Sequence, residues 1–409
     1  MSAKDIIVYG ASGYTGELTC DYLSMKKIPF IAAGRNRKRI EGVSSKWVAS
    51  GTDFDIVEVE HSVEALTELF KTAKVVVNVT GPFATLGMAV VEACYNANCH
   101  YVDTTGEQDF MFEAKEAFGE KYAQKDLCLM PSVAFIWGPG FLAADLCLED
   151  PEIDTVKTFY APPTLQTVAS LQSFLRMFRR RSHRIVNHKL VLNNPKLRHI
   201  IVPGTNESCS AASLGSSETT FYIDNPQVRN CETLFVHEQF QVMTGPLRWA
   251  RRFDRWFNEK RVDGFIDRMV LRYKKDPPPE STEHSHYVAG CFAEGKGVRS
   301  STIVYGVGPY ITTGFICALT AEKLVAGEQR KVGYTSMGQA FGAKNMLDAL
   351  GEVGANYVTE RVSNQPAAGA KAKAETAQSK PAAKKTETDD QPRRSGAVSR
   401  PPVEEQPSL

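Results

Sequence analysis

The chain has 409 residues, of which 43% are hydrophobic and 23% charged, and its formal net charge is +1. This length predicts two domains with additions, and the balanced charge argues against nucleic acid as a partner. The nine cysteines are scattered without a C-x-x-C pair, so we expect no metal site. Because no signal peptide is recognisable, we expect a reducing, cytoplasmic location. The most apolar stretch, residues 311–325, is too short to span a membrane and predicts a buried helix.

The first part of the chain alternates short apolar runs with helical patterns. The predicted strands are DIIVY, IPFIAAGR, DFDIVEVE, KVVVNVTG, HYVDTTG and LCLMPSVAF. Strands that alternate with helices at this spacing indicate βαβ units and a parallel sheet. We therefore predict an α/β fold with a doubly wound Rossmann domain over residues 1–150.

Beyond residue 150 the pattern changes to irregularly spaced strands. The predicted strands are TVKTFYA, RIVNHKLVL, TTFYIDN, ETLFVHEQFQV and HYVAGCFAEG. They predict a second, α+β domain over residues 151–310 that carries substrate-binding or dimerisation surfaces. Residues 311–360 read as two closing helices, of which at least one packs back on the first domain. Residues 361–409 are rich in Ala, Lys and Pro and predict a disordered tail.

A glycine-rich segment follows the first predicted strand and opens the first predicted helix. Gly10 permits a tight turn, Gly13 lets the backbone approach a pyrophosphate, and Gly16 allows close helix–strand packing. The N–H groups that open the helix favour an anion. We predict a dinucleotide loop, with a plain turn as the alternative. Its contact residues are Gly10, Ser12, Gly13, Tyr14, Thr15 and Gly16.

The second predicted strand ends at Arg35 and Asn36, where an NAD-binding domain places an acidic residue for the ribose 2′-hydroxyl. A guanidinium can instead pair with a 2′-phosphate and stack on adenine. The sequence therefore favours NADP(H), with NAD(H) as the alternative, and makes Arg35 and Asn36 cofactor contacts. Lys38 and Arg39 read as a solvated helix start.

Polar residues also end the later strands, where ligands bind in a doubly wound sheet. Candidate contacts for the nicotinamide half are Asn78, Thr80, Gly81 and Pro82. Asp103 and Glu107, after the fifth strand, are candidate catalytic residues, with helix capping as the alternative for this segment. Tyr310 is a third catalytic candidate, since a reductase needs a proton donor. The alternative for Tyr310 is an anchor for the last helix.

Taken together, the segments GASGYTG, VNVTGPF, YVDTTGE and YGVGPYITTGFICALTAEKLVAG resemble the saccharopine dehydrogenase-like oxidoreductases. That group includes mycobacterial trans-acting enoyl reductases and an animal lipid-droplet member. The likeness covers most of residues 5–357. It implies a two-domain fold with a nicotinamide cofactor in the cleft, and it leaves the substrate open.

One segment departs from the lipid-type members, which usually carry G-F-D-S-x-P-x-D-L after the sixth strand. Here the Gly138-Pro139-Gly140 turn is closer to saccharopine reductases. Three functions follow as hypotheses: an NADP(H)-dependent reductase of an enoyl or other hydrophobic, lipid-linked substrate; a saccharopine- or imine-type reductase of amino-acid metabolism; and a cofactor-binding scaffold without turnover.

Two segments combine arginines with aromatic residues at helical spacing, residues 171–184 and 247–275. Such helices can lie on an anionic membrane or cover a lipid substrate. The alternative is that the aromatic residues are core and the arginines are solvated. We expect a homo-oligomer that acts on a small-molecule or lipid-linked substrate, in the cytoplasm or peripheral to a membrane or lipid droplet.

Overall fold

The computed structural model describes residues 4–163, 167–193, 197–205, 208–237 and 285–363, and in addition Gly264, Arg268, Val270 and Arg272. Most of the basic aromatic segment 247–275 therefore lies outside the described residues. The same is true of the predicted tail after residue 363. Residues 361–363, predicted as part of the tail, belong to the last described strand, which continues to Ser363.

The first part of the chain forms a parallel sheet of seven strands. These are β1 (Ile6–Tyr9), β2 (Phe30–Gly34), β3 (Phe54–Glu58), β4 (Val75–Asn78), β5 (His100–Asp103), β6 (Cys128–Met130) and, from much later in the chain, β15 (Gly333–Tyr334). Their spatial order is β15-β6-β5-β4-β1-β2-β3. The chain order reverses between β1 and β4, and this reversal opens a crevice at the carboxyl ends of the strands. The predicted Rossmann architecture is thereby confirmed.

Helices cover both faces of this sheet. They are α1 (Tyr14–Met25), α2 (Arg37–Val43), α3 (Ser45–Ser50), α4 (Val63–Phe70), α5 (Phe83–Ala97) and α6 (Gln108–Ala123). Alternate residues of β4 point to opposite sides, so Val75 and Val77 pack in one apolar cluster and Val76 in another. Burial on both faces explains why the strands read as continuous apolar runs.

The second part of the chain builds a mixed sheet. Its strands are β7 (Thr155–Ala161), β8 (His183–Val186), β9 (Lys189–Leu192), β10 (Leu197–Ile201), β11 (Ser208–Leu214), β12 (Asn230–Val236), β13 (His286–Gly295), β14 (Val298–Val307) and β16 (Asn356–Ser363). The main order is β10-β11-β12-β7-β13-β14-β16, and the β8–β9 hairpin joins at β12. Only the β7–β12 pair is parallel among the described pairs. This mixed sheet confirms the predicted second α+β domain.

Further helices connect the two sheets. They are α7 (Gly138–Cys147), α8 (Val168–Arg179), α9 (Ser217–Tyr222), α10 (Pro309–Val325), α11 (Met337–Phe341) and α12 (Ala343–Ala349), followed by a 3-10 turn (Leu350–Val353). Helix α10 lies against α1, where the rings of Tyr22 and Phe315 are 5.5 Å apart. A Cβ at Gly314 would lie 2.7 Å from Leu18 Cβ, so the two helices approach closely there. Within the described residues, no helix is both long and apolar enough to cross a membrane.

Three predicted elements are wrong. The segment RIVNHKLVL, predicted as one strand, forms the hairpin of β8 and β9, with Asn187 and His188 at positive φ between them. The segment TTFYIDN, predicted as a strand, starts within helix α9. The buried Glu218 in this helix accepts hydrogen bonds from the hydroxyls of Thr158 and Tyr160, each at 2.9 Å. These contacts with β7 favour a helix over the local β-branched pattern. The second closing helix is divided at Gly342, whose φ of 90° interrupts helical geometry between α11 and α12.

Candidate functional site

The loop between β1 and α1 forms a tight turn at the edge of the crevice. Gly10 has a φ of 99°, a conformation that favours glycine. The amides of Gly10 and Ala11 donate to the Ala33 carbonyl at 2.8 and 3.2 Å and tie the loop to β2. A Cβ at Gly10 would lie 2.8 Å from Thr80 Cγ2, so the loop also passes close to the end of β4.

The other two loop glycines keep the start of α1 compact and uncovered. A Cβ at Gly16 would lie 2.3 Å from the Gly10 carbonyl oxygen, so a larger residue would push helix and loop apart. Gly13 is exposed, and no side chain caps the helix at this position. The first N–H groups of a helix have no intrahelical acceptor and suit an anion. The residues present therefore fit a dinucleotide pyrophosphate.

Arg35 stands exposed at the end of β2, beside two residues that sequence reasoning missed. The Tyr9 hydroxyl lies 2.8 Å from His61 Nδ1, and the two rings stack at 6.0 Å. Burial lowers the pKa of His61, and the positive charge of Arg35 lowers it further. The imidazole is therefore neutral near pH 7, so Arg35 carries the positive charge among Tyr9, Arg35 and His61. Tyr9 directly precedes Gly10 and could have been noticed, whereas His61 is 52 residues away in the sequence.

The residues after Arg35 are engaged in the protein itself. The Asn36 side chain accepts the Arg39 amide at 3.0 Å and caps α2. Arg37 donates to Glu41 and to the Ile56 carbonyl, both at 2.8 Å. Arg35, in contrast, makes no hydrogen bond or ion pair with the described residues, which makes its guanidinium available to a ligand. The cofactor role predicted for Asn36 stays a prediction.

At the end of β4, Asn78 organises the turn that follows it. Its side chain is buried and donates to the Tyr101 hydroxyl at 3.1 Å. Its carbonyl oxygen accepts from the Thr80 amide at 3.0 Å and from the Thr80 hydroxyl. Gly81 is exposed and Pro82 is half-buried after a cis peptide bond. Thr80, Gly81 and Pro82 thus line the crevice opposite Gly10, while Asn78 supports them from below.

Asp103 lies fully buried at the end of β5. One carboxyl oxygen accepts the Thr105 amide at 2.8 Å and the Ser132 amide at 2.9 Å, which joins the loops after β5 and β6. Its other oxygen has no partner in the described part of the chain. Burial raises the pKa of Asp103 to about 7, against the opposing effect of these amides. In this position Asp103 fixes two loops of the site, and a direct catalytic role stays a prediction.

The raised pKa of Asp103 predicts a pH-dependent stability. An unfolded aspartate has a pKa near 3.8, so the folded state binds the extra proton between about pH 4 and about pH 7. The contribution of the Asp103 carboxyl to the free energy of unfolding is complete below that window and is lost as pH rises through about 7. We expect Asp103→Asn to flatten this decline by about 4 kcal/mol. Urea unfolding of the wild-type and Asp103→Asn proteins at several pH values across the window measures this difference. An equal slope of stability against pH in both proteins would contradict the prediction.

Glu107 caps a helix from outside its own segment. Its carboxylate oxygens accept the amides of Phe83 at 3.2 Å and Ala84 at 3.0 Å, at the start of α5. Burial raises the pKa of Glu107, whereas the α5 amides and the nearby buried Arg176 lower it. Pro82, the residue that precedes α5, offers no side-chain cap. Glu107 therefore completes the start of α5, and its predicted catalytic role stays a prediction.

Removal of this cap should destabilise the protein. Glu107→Ala leaves the buried Phe83 amide and the half-buried Ala84 amide without an acceptor. We therefore expect the free energy of unfolding to fall by about 2 to 4 kcal/mol. Glu107→Gln keeps one acceptor oxygen and should lose less. Glu113→Ala, at an exposed position of α6, is the matched control. Urea unfolding at constant pH decides the outcome, and equal stability of the Glu107→Ala and Glu113→Ala variants would refute the capping role.

Tyr310 lies beside the phosphate loop. Its ring packs edge-on against the Tyr14 ring, with centroids 5.2 Å apart. Its hydroxyl donates to Ser170 at 2.6 Å and accepts the Thr167 amide at 2.9 Å. The structure therefore brings the predicted proton donor next to the predicted cofactor loop, and it also links Tyr310 to the start of α8.

Helix α8 covers the carboxyl end of β5. The Ser173 hydroxyl donates to Glu107 at 3.3 Å, and a Cβ at Gly106 would lie 3.2 Å from Met177 Sδ. Phe174 and Arg176 are buried although they lie on different sides of the helix, so α8 is packed against the protein on more than one side. Of the alternatives for residues 171–184, packing against the protein therefore accounts for α8 better than a membrane-bound face. No group of three or more His, Cys, Asp or Glu within the described residues could hold a metal ion.

The Gly138-Pro139-Gly140 turn serves packing. Pro139 occupies the first turn of α7, a position where its missing N–H costs nothing. Cβ atoms at Gly138 and Gly140 would lie 2.7 Å from Met337 Cε and 2.5 Å from Tyr160 Cζ. Close approach of α7 to its neighbours therefore explains both glycines, and the turn does not by itself indicate an amino-acid substrate.

Comparison with known proteins agrees with this geometry. Residues 6–126 match the family described as saccharopine dehydrogenase NADP binding domain. Residues 138–363 match a family described as "Family of unknown function (DUF5938)". The chain is 31% identical over 156 residues to a lipid droplet localized protein of Caenorhabditis elegans, a match that covers 35% of this chain and 37% of that protein.

A second relative is a putative trans-acting enoyl reductase of Mycobacterium tuberculosis, 30% identical over 142 residues and 34% of each chain. These matches span only about a third of the relatives' lengths. Among solved structures, the apo saccharopine dehydrogenase (L-Glu forming) of Saccharomyces cerevisiae superposes with a TM-score of 0.56 at 13% identity. It covers 88% of this chain and 100% of that one, and at this identity the likeness concerns the fold.

The match to DUF5938 covers the second sheet with its helices. The match to the NADP-binding domain covers the first sheet with its phosphate loop. Both agree with the two-domain fold derived above. The chain therefore belongs to the DUF5938 family and carries at its N-terminus an NADP-binding domain of the saccharopine dehydrogenase type.

Proposed function

We propose that the protein is an NADP(H)-dependent oxidoreductase that reduces an enoyl or other hydrophobic, lipid-linked substrate. The observation that carries the proposal is the pairing of an uncapped helix start at Gly13 with the uncommitted guanidinium of Arg35. The first binds a pyrophosphate and the second a 2′-phosphate. NADPH, when bound, supplies the hydride.

The chain's own residues position the reaction. The loop from Ser12 to Thr15 holds the pyrophosphate at the start of α1, where the Gly13 amide itself donates to the Gly10 carbonyl at 2.9 Å. Thr80 with Gly81 bounds the crevice on the β4 side. Helix α8 lies over the end of β5 and excludes water from it. The Tyr310 hydroxyl, held against Ser170 beside Tyr14, is the proposed proton donor.

Apolar side chains favour a hydrophobic substrate. Gly106 lies between Met177 Sδ and Ile136 Cγ2, which a Cβ at this glycine would approach to 3.2 and 3.6 Å. Phe83 packs nearby under the cis-proline turn. The names of the two relatives, a lipid droplet localized protein and a putative enoyl reductase, support the same substrate class. We accordingly place the protein at the periphery of a lipid surface.

The decisive experiment follows NADPH oxidation by the purified protein with panels of enoyl, imine and keto compounds. We expect turnover of a long-chain enoyl substrate, and NADPH binding without turnover of any compound would instead support the scaffold hypothesis. Tyr310→Phe should lower kcat roughly 100-fold while the Kd for NADPH stays unchanged. Ser170→Ala removes the anchoring contact and keeps the phenol. If both variants lose activity equally, Tyr310 is an anchor of α8.

A further inference from the structure

One edge of the second sheet exposes aliphatic side chains. Strand β9 pairs only with β8 among the described strands, and all four of its side chains are exposed. Leu190 is 41% and Leu192 is 56% exposed, and on the following strand β10 Ile201 is 67% exposed. Val191 and Leu197 are exposed as well. A group of this size is seldom left uncovered by chance. We call these five residues the aliphatic edge.

The surroundings of the aliphatic edge are basic. Residues 155–206 contain no Asp or Glu but contain nine Lys or Arg residues. Glu232 on β12 accepts from Arg184 at 3.3 Å and from Arg198 at 2.7 Å, so its charge is compensated. Lys189 makes no ion pair within the described part of the chain. Arg180 pairs with Asp109, and Arg176 is buried. The positive charge at the aliphatic edge therefore comes from Lys189 and from the excess of Arg184 and Arg198 over Glu232.

The combination of charge and apolar chemistry selects the partner. A second copy of the chain would bring two basic, acid-free segments together, and like charges repel. Single-stranded nucleic acid is bound by aromatic stacking, whereas this edge is aliphatic. An anionic phospholipid surface offers headgroups to the cations and an acyl region to the leucines. Successive side chains of a strand point to opposite sides, and a lipid interface can surround both.

We propose that the aliphatic edge docks on the surface of an anionic phospholipid bilayer. The inference does not depend on dinucleotide binding, because the edge belongs to the second sheet. It also differs from a membrane role for α8, in which Phe174 and Arg176 are buried within the protein.

Co-sedimentation of the full chain with vesicles tests this proposal. One set contains phosphatidylcholine with a minority of phosphatidylserine, and the other contains phosphatidylcholine alone. The test variant is Leu190→Ser with Leu192→Ser. Its matched control is Val358→Ser with Val362→Ser, on the opposite edge of the same sheet, where the valines are 54% and 61% exposed.

We expect the wild-type protein to bind phosphatidylserine vesicles and to dissociate as salt rises. The Leu190/Leu192 variant should lose roughly 10-fold in partitioning, and the Val358/Val362 control should not. If the leucine variant fails to fold, Lys189→Glu replaces it and should likewise weaken binding to phosphatidylserine vesicles. Absence of wild-type binding, or equal loss in both double variants, overturns the proposal. So does a wild-type dimer in ultracentrifugation that the leucine variant dissociates without any vesicle binding.

Discussion

Gly13→Val is expected to abolish binding of NADPH while the protein stays folded. Gly13 has a φ of −84°, which valine adopts without strain, and its side chain would enter solvent. The nearest atom that a Cβ would meet is the Gly10 carbonyl oxygen at 3.3 Å, so only a small adjustment of the loop is required. The branched side chain would then occupy the space through which a pyrophosphate approaches the helix start.

The expected loss of NADPH affinity in Gly13→Val follows from the hydrogen bonds that would be lost. Two amide–phosphate bonds, each worth about 1.5 to 3 kcal/mol, correspond to roughly 100-fold or more in Kd. Fluorescence titration with NADPH measures the effect. Gly42→Val is the matched control, because a Cβ at Gly42 meets nothing within 4 Å and this residue lies in α2, away from the loop. Undiminished affinity in the folded Gly13→Val protein would exclude this loop as the pyrophosphate site.

Arg35→Ala should change the choice between the two nicotinamide cofactors. If the guanidinium pairs with the 2′-phosphate, its removal weakens NADPH by roughly 10- to 100-fold and leaves the weaker affinity for NADH almost unchanged. Because Arg35 is exposed and makes no hydrogen bond or ion pair with the described residues, the stability of the fold should not change.

Arg39→Ala supplies the control, since Arg39 is also exposed and lies four residues further along the chain. Titrations of both variants with NADPH and with NADH measure the two affinities. Equal weakening of NADPH by both substitutions would indicate a general electrostatic effect, and an equal loss of NADH affinity in Arg35→Ala would show that Arg35 does not read the 2′-phosphate.

Local sequence signals were enough to predict the first domain. The glycine-rich turn and the parallel strands depend on glycine geometry and on hydrophobic runs, which act over a few residues. The second sheet was predicted in outline. TTFYIDN was predicted as a strand because its β-branched and aromatic residues favour one, but the buried Glu218 bonds to β7 and the segment starts within a helix.

The roles of individual polar residues could not be read from the sequence, because their partners are distant in the chain. Asp103 bonds to the Ser132 amide, and Glu107 bonds to amides of α5 that precede it by more than 20 residues. In the sequence the two acids cannot be told apart, because both lie at the end of the fifth strand or just after it, where catalytic residues are expected. The folded structure shows that both acids hold loops or a helix start, and that Tyr310 lies beside Tyr14 of the predicted cofactor loop. The catalytic role of all three residues stays a prediction.

Calorimetric titration of the wild-type protein with NADPH and NADH tests most directly whether the crevice beyond β1 and β4 is a cofactor site. We predict saturable binding of one NADPH per chain, with an affinity at least roughly 10-fold higher than that for NADH. Absence of saturable binding for both dinucleotides, or a preference for NADH, would contradict the assignment of the Gly10–Gly16 loop and Arg35.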